Sequence, residues 1–496
     1  YLNYFDFLYN AVGIKTASRT YFSKEPQALS LEECATLVGM CKNPSYYDPV
    51  RMPDRTRARR NVVLGQMVRS GYISESEADS VMQLPLTLNF RRADHRSGTA
   101  MYVRERLRRV LMAKRPVRAN YEAWQYQQYF EDSLAWEEDP LYGWCNKNTK
   151  PDGSNYNIYS DGLKIYTSID SRMQKYLEEA VEEHVANYLQ PRFFNSKKGQ
   201  ATAPFTEELT PEEVDKIMER AMLQSARYRI MKKNGASEKE IFASFDKKED
   251  MRVFSYKGMI DTMMTPKDSI KYYKHFLRTG VVSMDPHTGE IKAYVGGPNY
   301  YNFKYDMAAV GRRQVGSTIK PYLYSLAMEN GFTPCDETRN VEQTLLTEDG
   351  KIWSPRNTGR AEDKGKIVTL RWGLSQSNNW ISAYLMSKLN PYAFKRLIHQ
   401  FGIRNQDVQP VPSLCLGPCD ISVGEMVGAY TAFPNNGIRT EPLFVTRIED
   451  NEGNIVATFT PKTHEVISKE SSYKMIDMMK AVIDEGTGRR LRFKYK

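Results

Sequence analysis

A serine and a lysine stand three positions apart in the segment GRRQVGSTIKPYLYSLAM, residues 311–328. Residues i and i+3 are neighbours on one face of a helix, so the Lys320 amine should lie near the Ser317 hydroxyl. A serine is a poor nucleophile unless a partner accepts its proton during attack. Lysine can be that partner when its surroundings lower its pKa from ~10.4 toward roughly 7–8. The spacing therefore indicates a nucleophile beside its general base, although two fixed residues in four also occur by chance.

The residues around this pair predict where the helix begins. Proline costs roughly 3 kcal/mol inside a helix but little in the first turn, where the N–H groups lack partners. Pro321 therefore places the start of the helix at or very near Ser317. The dipole of the helix would favour negative charge that develops there. Gly316 would let a substrate or another backbone segment approach closely.

A second polar cluster, Ser377-Asn378-Asn379, interrupts the apolar segment LRWGLSQSNNWISAYLM. In penicillin-binding proteins and β-lactamases, an S-x-x-K pair is accompanied by S-D-N or a variant and by K-T-G. The cluster matches the second of these elements, and a simple helix cap is the alternative interpretation. Glu485 stands where K-T-G requires lysine in the segment EGTGRR, so we interpret Gly486–Gly488 as a turn.

Composition limits the class of protein. The chain has 496 residues, 41% apolar and 26% charged, which predicts a globular protein of two to four domains. The net charge of +10 is modest and suits an anionic partner such as a phospholipid surface, but does not indicate nucleic acid. No apolar run reaches 18 residues and no signal peptide is apparent. Because the sequence starts with Tyr1 and ends in RRLRFKYK, we expect both ends to be cut.

The six cysteines show no zinc-binding pattern. We expect each to be a buried free thiol. A disulfide between Cys415 and Cys419 stays open as an alternative in an oxidising compartment. Nor does the sequence show the ligand spacing of any other metal site.

The first part of the chain, residues 1–89, has a helical pattern with capping boxes that begin at Ser30 and Ser74. Residues 90–160 change to an Arg-, Tyr- and Trp-rich composition that indicates a linker or connecting module. A strand at 162–170 and a helix follow. Residues 191–270 are charged and helical, with capping boxes that begin at Thr210 and Ser237. We interpret their paired charges as a solvated face.

The later part of the chain alternates strands and helices. Residues 279–297 predict a hairpin around Asp285–Gly289, and residues 441–459 predict another around Asn451–Gly453. We expect both hairpins to contribute to one antiparallel sheet that packs against the helix at Ser317. This pattern is typical of an α+β domain.

The order of these blocks resembles the class A penicillin-binding proteins, the bifunctional peptidoglycan synthases of bacteria. The later blocks resemble the transpeptidase domain, and the early blocks resemble the C-terminal part of a lysozyme-like, mainly α glycosyltransferase domain. The resemblance covers nearly the whole chain apart from residues 191–270. The blocks are GLKIYTSIDSRMQ, DPHTGEIKAYVGG, GRRQVGSTIKP, TLRWGLSQSNNW and SLCLGPCDISVGEMVGAYTAFPNNGIRTEPLFVTRIED in the later part, and YLN, GIKTASRTYFSKEPQALSLEECATLVGM and NPSYYDPVRMPDRTRARRNVVLGQM in the early part.

The resemblance implies a domain organisation. It divides the chain into part of the glycosyltransferase at 1–89, a connecting module at 90–160 and the transpeptidase at 161–496, with 191–270 as an insertion. In the family, the acidic catalytic residues of the glycosyltransferase lie before YLN, and K-T-G follows the segment that ends this chain. We therefore expect the present fragment to be nearly inactive by itself.

The resemblance also implies a function. Ser317 would be the nucleophile, Lys320 its base, Ser377 a proton relay and Asn379 the residue that binds the substrate amide. The implied partners are peptidoglycan stem peptides, lipid II, β-lactam antibiotics and a membrane surface, with no nucleic acid. The implied mechanism needs neither a metal nor an organic cofactor, which fits the absence of metal-ligand spacing. A single anchor before residue 1 would hold the catalytic domains in the periplasm at the inner membrane.

Other classes of protein remain as alternatives. A D,D-carboxypeptidase or a β-lactamase could use the same four side chains, but those enzymes usually lack the early blocks. A non-catalytic scaffold or β-lactam sensor would not need all four residues intact. We expect the Ser317 hydroxyl, the Lys320 amine and the side chains of Ser377 and Asn379 to converge within hydrogen-bond reach or one water of it.

Overall fold

A computed structural model describes residues 1–91, 98–347, 349–357 and 359–494, which form two compact units. The first unit contains Tyr1–Thr167 and Val445–Phe459, and the second contains Ser168–Phe444 and Thr460–Lys496. The predicted start of the second domain at residue 161 lies close to this division. The assignment of residues 445–459 to the first unit was not predicted.

Helices form most of the regular structure. They are α1 (Ile14–Phe22), α2 (Leu31–Met40), α3 (Pro53–Arg69), α4 (Glu75–Gln83), α5 (Met101–Leu111), α6 (Tyr126–Glu138), α7 (Trp144–Lys147), α8 (Ser171–Glu182), α9 (Gln190–Lys197), α10 (Pro211–Leu223), α11 (Ala226–Lys233), α12 (Glu238–Phe245), α13 (Pro266–Lys274), α14 (Lys320–Glu329), α15 (Leu370–Ser375), α16 (Asn379–Lys388), α17 (Pro391–Gln400), α18 (Val423–Tyr430), α19 (Lys469–Asp484) and α20 (Arg490–Lys494). A π-helical segment, Glu183–Leu189, connects α8 to α9. No helix of the described residues combines the length and the apolar character that crossing a bilayer requires.

The strands are short. They are β1 (Lys164–Thr167), β2 (Glu249–Val253), β3 (Ile260–Met264), β4 (Val281–Met284), β5 (Ile291–Val295), β6 (Arg312–Gln314), β7 (Glu337–Arg339), β8 (Leu345–Leu346), β9 (Ile352–Trp353), β10 (Ile367–Thr369), β11 (Asp420–Ser422), β12 (Ile438–Thr440), β13 (Val445–Glu449), β14 (Ile455–Thr458) and β15 (Thr463–Glu465). All the strand pairs are antiparallel.

The helical character predicted for residues 1–89 is confirmed by α1 to α4. Apolar side chains of α1 and α2, among them Tyr21, Leu37 and Met40, are fully buried together with Phe7. Burial of such a face provides most of the stability of short helices. At α4, the Ser74 hydroxyl accepts a hydrogen bond from a backbone N–H of the first turn, as the sequence predicts.

The charged segment 191–270 contains both the predicted helices and an unpredicted hairpin. Thr210 and Ser237 begin α10 and α12 with the capping boxes that the sequence indicates. The strands β2 and β3 then pair in register from Glu249↔Met264 to Val253↔Ile260. The high charge of the segment hid this short hairpin, because its alternating apolar residues are interrupted by acidic ones.

Both predicted hairpins are confirmed, but the prediction that they share one sheet is wrong. The first consists of β4 and β5 alone, whereas β13 lies between β1 and β14 in a three-stranded sheet. The outer edge of β5 has two other partners. The Ile291 N–H donates to the Leu443 carbonyl at 3.0 Å, and the Gln174 side chain of α8 bonds with both backbone groups of Tyr294. At Tyr294, a side chain thus occupies the position at which another strand would pair.

The centre of the second unit is α14. Nine of its ten residues are buried, from Lys320 to Met328, and a helix that is buried all round belongs in the middle of a core. Helices α15, α16, α17 and α19 pack around it. Helices therefore mainly enclose α14, where the sequence analysis expected a sheet. The α-helix begins at Lys320 rather than Ser317, because Gly316–Ile319 forms a 3₁₀ turn, and Pro321 lies in its first turn as expected.

Replacing Gln174 with Met should lower the unfolding midpoint of the full-length protein. Gln174 and Tyr294 are both buried, so the substitution leaves an N–H and a carbonyl without partners, at about 1–3 kcal/mol each. The measurement is urea unfolding followed by circular dichroism. Lys175→Met, on the exposed side of the same helix, is the control and should change the free energy of unfolding by no more than about 0.5 kcal/mol. Equal effects of the two substitutions would contradict this role of Gln174.

Candidate active site

Ser317 lies on an exposed turn whose backbone is fixed on both sides. The preceding strand β6 pairs with β11, and the Val315 N–H donates to the Cys419 carbonyl at 3.0 Å. The Gly316 N–H donates to the Gly417 carbonyl at 3.1 Å. Ser317 is exposed within the 3₁₀ turn Gly316–Ile319 that leads directly into α14.

Unlike Ser317, which is exposed, the Lys320 side chain is almost completely removed from water. It is 1% exposed, and its Nζ donates to the Ser377 carbonyl at 2.5 Å, the Asn379 Oδ1 at 2.8 Å and the Ser377 Oγ at 3.2 Å. Burial lowers the pKa of the Lys320 amine to about 8, while the nearby Cys415 thiol acts in the opposite direction. A substantial fraction of this amine is therefore neutral near pH 8 and can accept a proton.

The turn that holds Lys320 has an unusual backbone conformation. Ser377 has φ +52°, in the left-handed region that costs a residue with a side chain roughly 1–2 kcal/mol. The next residue, Asn378, is the N-cap of α16 and accepts hydrogen bonds from the N–H groups of Trp380 and Ile381. The helix-cap interpretation thus applies to Asn378, while Ser377 and the residue after Asn378 bind the lysine.

The structure brings together three of the four side chains that the sequence predicts to converge. Lys320 bonds with both Ser377 and Asn379. Within the described residues, no hydrogen bond joins the Ser317 hydroxyl to the Lys320 amine. The two residues are linked through the backbone, where the Lys320 N–H donates to the Ser317 carbonyl. Catalytic hydrogen bonds are often long without substrate and tighten when it binds.

The segment Glu485–Gly488 lies against Ser375, at the end of α15 and just before the Ser377 turn. It follows α19 as a turn, which confirms the interpretation of these residues. The Thr487 N–H donates to the Ser375 carbonyl at 3.1 Å. A Cβ on Gly486 would lie 2.1 Å from that same carbonyl oxygen, so only glycine fits there.

All six cysteines are free thiols in the structure, so Cys415 and Cys419 form no disulfide there. Both are buried, and burial raises the pKa of the Cys415 thiol to about 12. The expectation that every cysteine is buried is wrong for Cys34 and Cys335, which are exposed, and for Cys41, which is half-buried.

Two functionally placed features escaped the sequence analysis. One is Gly417, whose φ of +69° and contact with Gly316 position the turn that carries Ser317. Its position in the Cys-Leu-Gly-Pro-Cys turn was the available signal, since a glycine there often has positive φ. The other is the segment Pro355–Asn357, which bonds with Asn379 and carries no recognisable motif in a single sequence.

Comparison with protein families gives three matches along the chain. Residues 1–68 match the transglycosylase family, residues 200–277 the penicillin-binding protein middle domain, and residues 279–495 the penicillin-binding protein transpeptidase domain. The chain belongs to the class A penicillin-binding proteins. In this penicillin-binding protein, Ser317, Lys320, Ser377 and Asn379 all lie within the matched transpeptidase domain. The segment 191–270, which the sequence analysis left outside the resemblance, largely coincides with the middle domain.

Relatives and a solved structure agree with this assignment. The chain is 27% identical to penicillin-binding protein 1A of Aquifex aeolicus over 99% of its length, and 25% identical to that of Neisseria flavescens over 98%. It spans 61% and 59% of those relatives. The crystal structure of penicillin-binding protein 1A from Haemophilus influenzae has the same fold, with a TM-score of 0.63 and 21% identity over 100% of this chain and 75% of that one.

Gly417→Ala should destabilise the second unit more than a glycine substitution without a steric conflict. The new Cβ would lie 2.3 Å from the Gly316 carbonyl oxygen, in addition to the cost of a left-handed alanine. Gly331→Ala is the matched control, because Gly331 has φ +88° and nothing within 4 Å of the added Cβ. We expect about 1 kcal/mol for the control and at least about 2 kcal/mol for Gly417→Ala, from urea unfolding. Equal losses would show that the close approach does not hold the turn.

Proposed function

We propose that the protein is a peptidoglycan synthase whose second unit is a D,D-transpeptidase with an acyl-serine intermediate. The observation that carries the proposal is the buried Lys320 amine, with its pKa lowered to about 8, one turn after an exposed serine. A lysine in this state can accept a proton from a hydroxyl near neutral pH, which an ordinary surface lysine does poorly.

In the proposed reaction, Ser317 Oγ attacks the carbonyl carbon of the penultimate D-Ala of a stem peptide. Its proton passes to the Lys320 amine, and the carbonyl oxygen becomes an oxyanion that the Ser317 backbone N–H stabilises. As the tetrahedral intermediate collapses, the peptide C–N bond breaks and Ser377 relays a proton to the leaving nitrogen. D-Ala departs and an ester joins the peptide to Ser317.

The second half of the reaction reverses these roles. An amine of a neighbouring stem peptide attacks the ester, gives up a proton and releases the Ser317 hydroxyl, which leaves a new amide cross-link. Asn379 holds Lys320 and also binds the peptide amide, through side-chain hydrogen-bonding positions that the bond with Lys320 does not use. β-Lactams resemble the D-Ala-D-Ala terminus and would leave a stable acyl group on Ser317.

The transglycosylase match at residues 1–68 supports a second activity in the full-length protein. We propose that this domain polymerises the glycan of lipid II and that the transpeptidase cross-links the product. We further propose a single anchor in the inner membrane with the catalytic domains in the periplasm, where both substrates are exposed. The same match favours a synthase over a stand-alone D,D-carboxypeptidase or a β-lactam sensor.

Labelling with a fluorescent penicillin tests the proposal in the full-length protein. Ser317→Ala should abolish the covalent adduct, and Lys320→Ala should slow its formation by about 10²–10⁴ because the hydroxyl loses its proton acceptor. The control is Thr318→Val, which removes the neighbouring hydroxyl that bonds with the Val315 carbonyl, and it should label at nearly the wild-type rate.

Peptide mapping by mass spectrometry should find the adduct on the peptide that contains Ser317. An adduct elsewhere, or undiminished labelling of Ser317→Ala, would refute the site. Acylation followed by hydrolysis without transfer to an acceptor amine would favour the D,D-carboxypeptidase alternative.

A further inference from the structure

A short extended segment, Pro355–Asn357, lies along the start of α16 and bonds with it through three consecutive residues. The Trp380 Nε1–H donates to the Pro355 carbonyl at 3.1 Å. The Asn379 Nδ2–H donates to the Arg356 carbonyl at 2.8 Å, and the Asn379 backbone N–H donates to the Asn357 Oδ1 at 3.2 Å. We call these three residues the brace.

We propose that Asn357 is a positioning residue of the transpeptidase site, which acts by fixing the backbone of Asn379, the residue whose side chain holds Lys320. The inference rests on the proposed function and adds to it a residue outside the S-x-x-K and S-x-N motifs. Asn357 holds the backbone of Asn379, and its neighbour Arg356 holds the amide nitrogen.

The two ends of a carboxamide differ, so the orientation of the Asn379 side chain determines whether it can accept a hydrogen bond from Lys320. The Asn379 side chain has one donor end and one acceptor end. The Arg356 carbonyl can bond only with the donor end, so the acceptor oxygen is turned to the Lys320 Nζ at 2.8 Å. If the side chain rotated by half a turn, an N–H₂ group would face the ammonium. The brace therefore selects the orientation in which Asn379 can hold Lys320.

Asn357 also completes the capping of α16. The first N–H groups of a helix have no partner within the helix. Asn378 accepts from the N–H groups of Trp380 and Ile381, and Asn357 accepts from that of Asn379. The residue thus fixes the backbone on which the lysine-binding amide is mounted, at the point where the Ser377 turn enters the helix.

The loop that carries the brace has a separate set of bonds, which allows the two roles to be distinguished. The Ser354 hydroxyl donates to the Gln343 carbonyl at 2.7 Å and lies 3.1 Å from the Thr344 hydroxyl. These contacts close the loop beside β8 and β9. None of them involves Asn379, so removing them loosens the loop without removing the contact between Asn357 and Asn379.

The test is the rate of acylation by a fluorescent penicillin in the full-length protein, for three variants. Asn357→Ala removes the acceptor and should slow acylation about 10-fold, the equivalent of one hydrogen bond of ~1.4 kcal/mol. Asn357→Asp keeps an acceptor oxygen, and its charge is favourable beside a helix start, so its rate should stay within about 3-fold of wild type. Ser354→Ala is the matched control and should leave the rate unchanged.

Backbone amide exchange gives a readout that does not depend on acylation. The N–H of Asn379 should exchange faster in Asn357→Ala than in wild type, Asn357→Asp or Ser354→Ala. The inference is overturned if Asn357→Asp is as slow as Asn357→Ala, if Ser354→Ala slows acylation equally, or if the exchange at Asn379 is unchanged. A wild-type protein that is never acylated at Ser317 would refute the proposed function, whereas normal acylation of Asn357→Ala would refute this inference alone.

Discussion

The candidate active site depends on one buried amine, that of Lys320. The Lys320 amine is removed from water, and three oxygen atoms of residues 377–379 replace the water it loses. Without them, burial of an ammonium group would cost several kcal/mol, and with too many acidic partners the amine would stay protonated. Its acceptors are neutral, so burial is the dominant influence and lowers the pKa to about 8. The neutral acceptors thus keep the amine in place without preventing its deprotonation.

This arrangement explains several local features that otherwise look unfavourable. Ser377 adopts a left-handed conformation because both its carbonyl and its hydroxyl must face the lysine. Gly417 and Gly486 permit backbone approaches that a Cβ would block, one at the turn that carries Ser317 and one at the end of α15. Strain of this kind persists only where the surrounding structure imposes it. Here the surroundings are α14, which is buried on all sides, and the caps of the helices packed against it.

Features set by neighbouring residues could be predicted from the sequence. The capping boxes at Thr210 and Ser237, the turn after Asp285, and Ser317 with Lys320 depend on residues a few positions apart. Features set by distant residues could not. The side chain of Gln174 replaces a strand beside Tyr294, and Asn357 reaches Asn379 across 22 positions, although neither contact has a local pattern. The helix α14 begins later than the sequence predicts for a related reason, since the turn at Gly316 is fixed by residues about a hundred positions later.

The most direct test of this account is the titration of the Lys320 amine itself. In the full-length protein with isotope-labelled lysine, NMR would follow the side-chain resonance with pH, and its absence in Lys320→Arg would assign it. The account predicts a midpoint of about 8, because burial disfavours the charged form while three neutral oxygen atoms hold the amine in place. A midpoint near the ordinary value of ~10.4 would contradict it, since the amine would then be protonated throughout the physiological range and could not act as the base for Ser317.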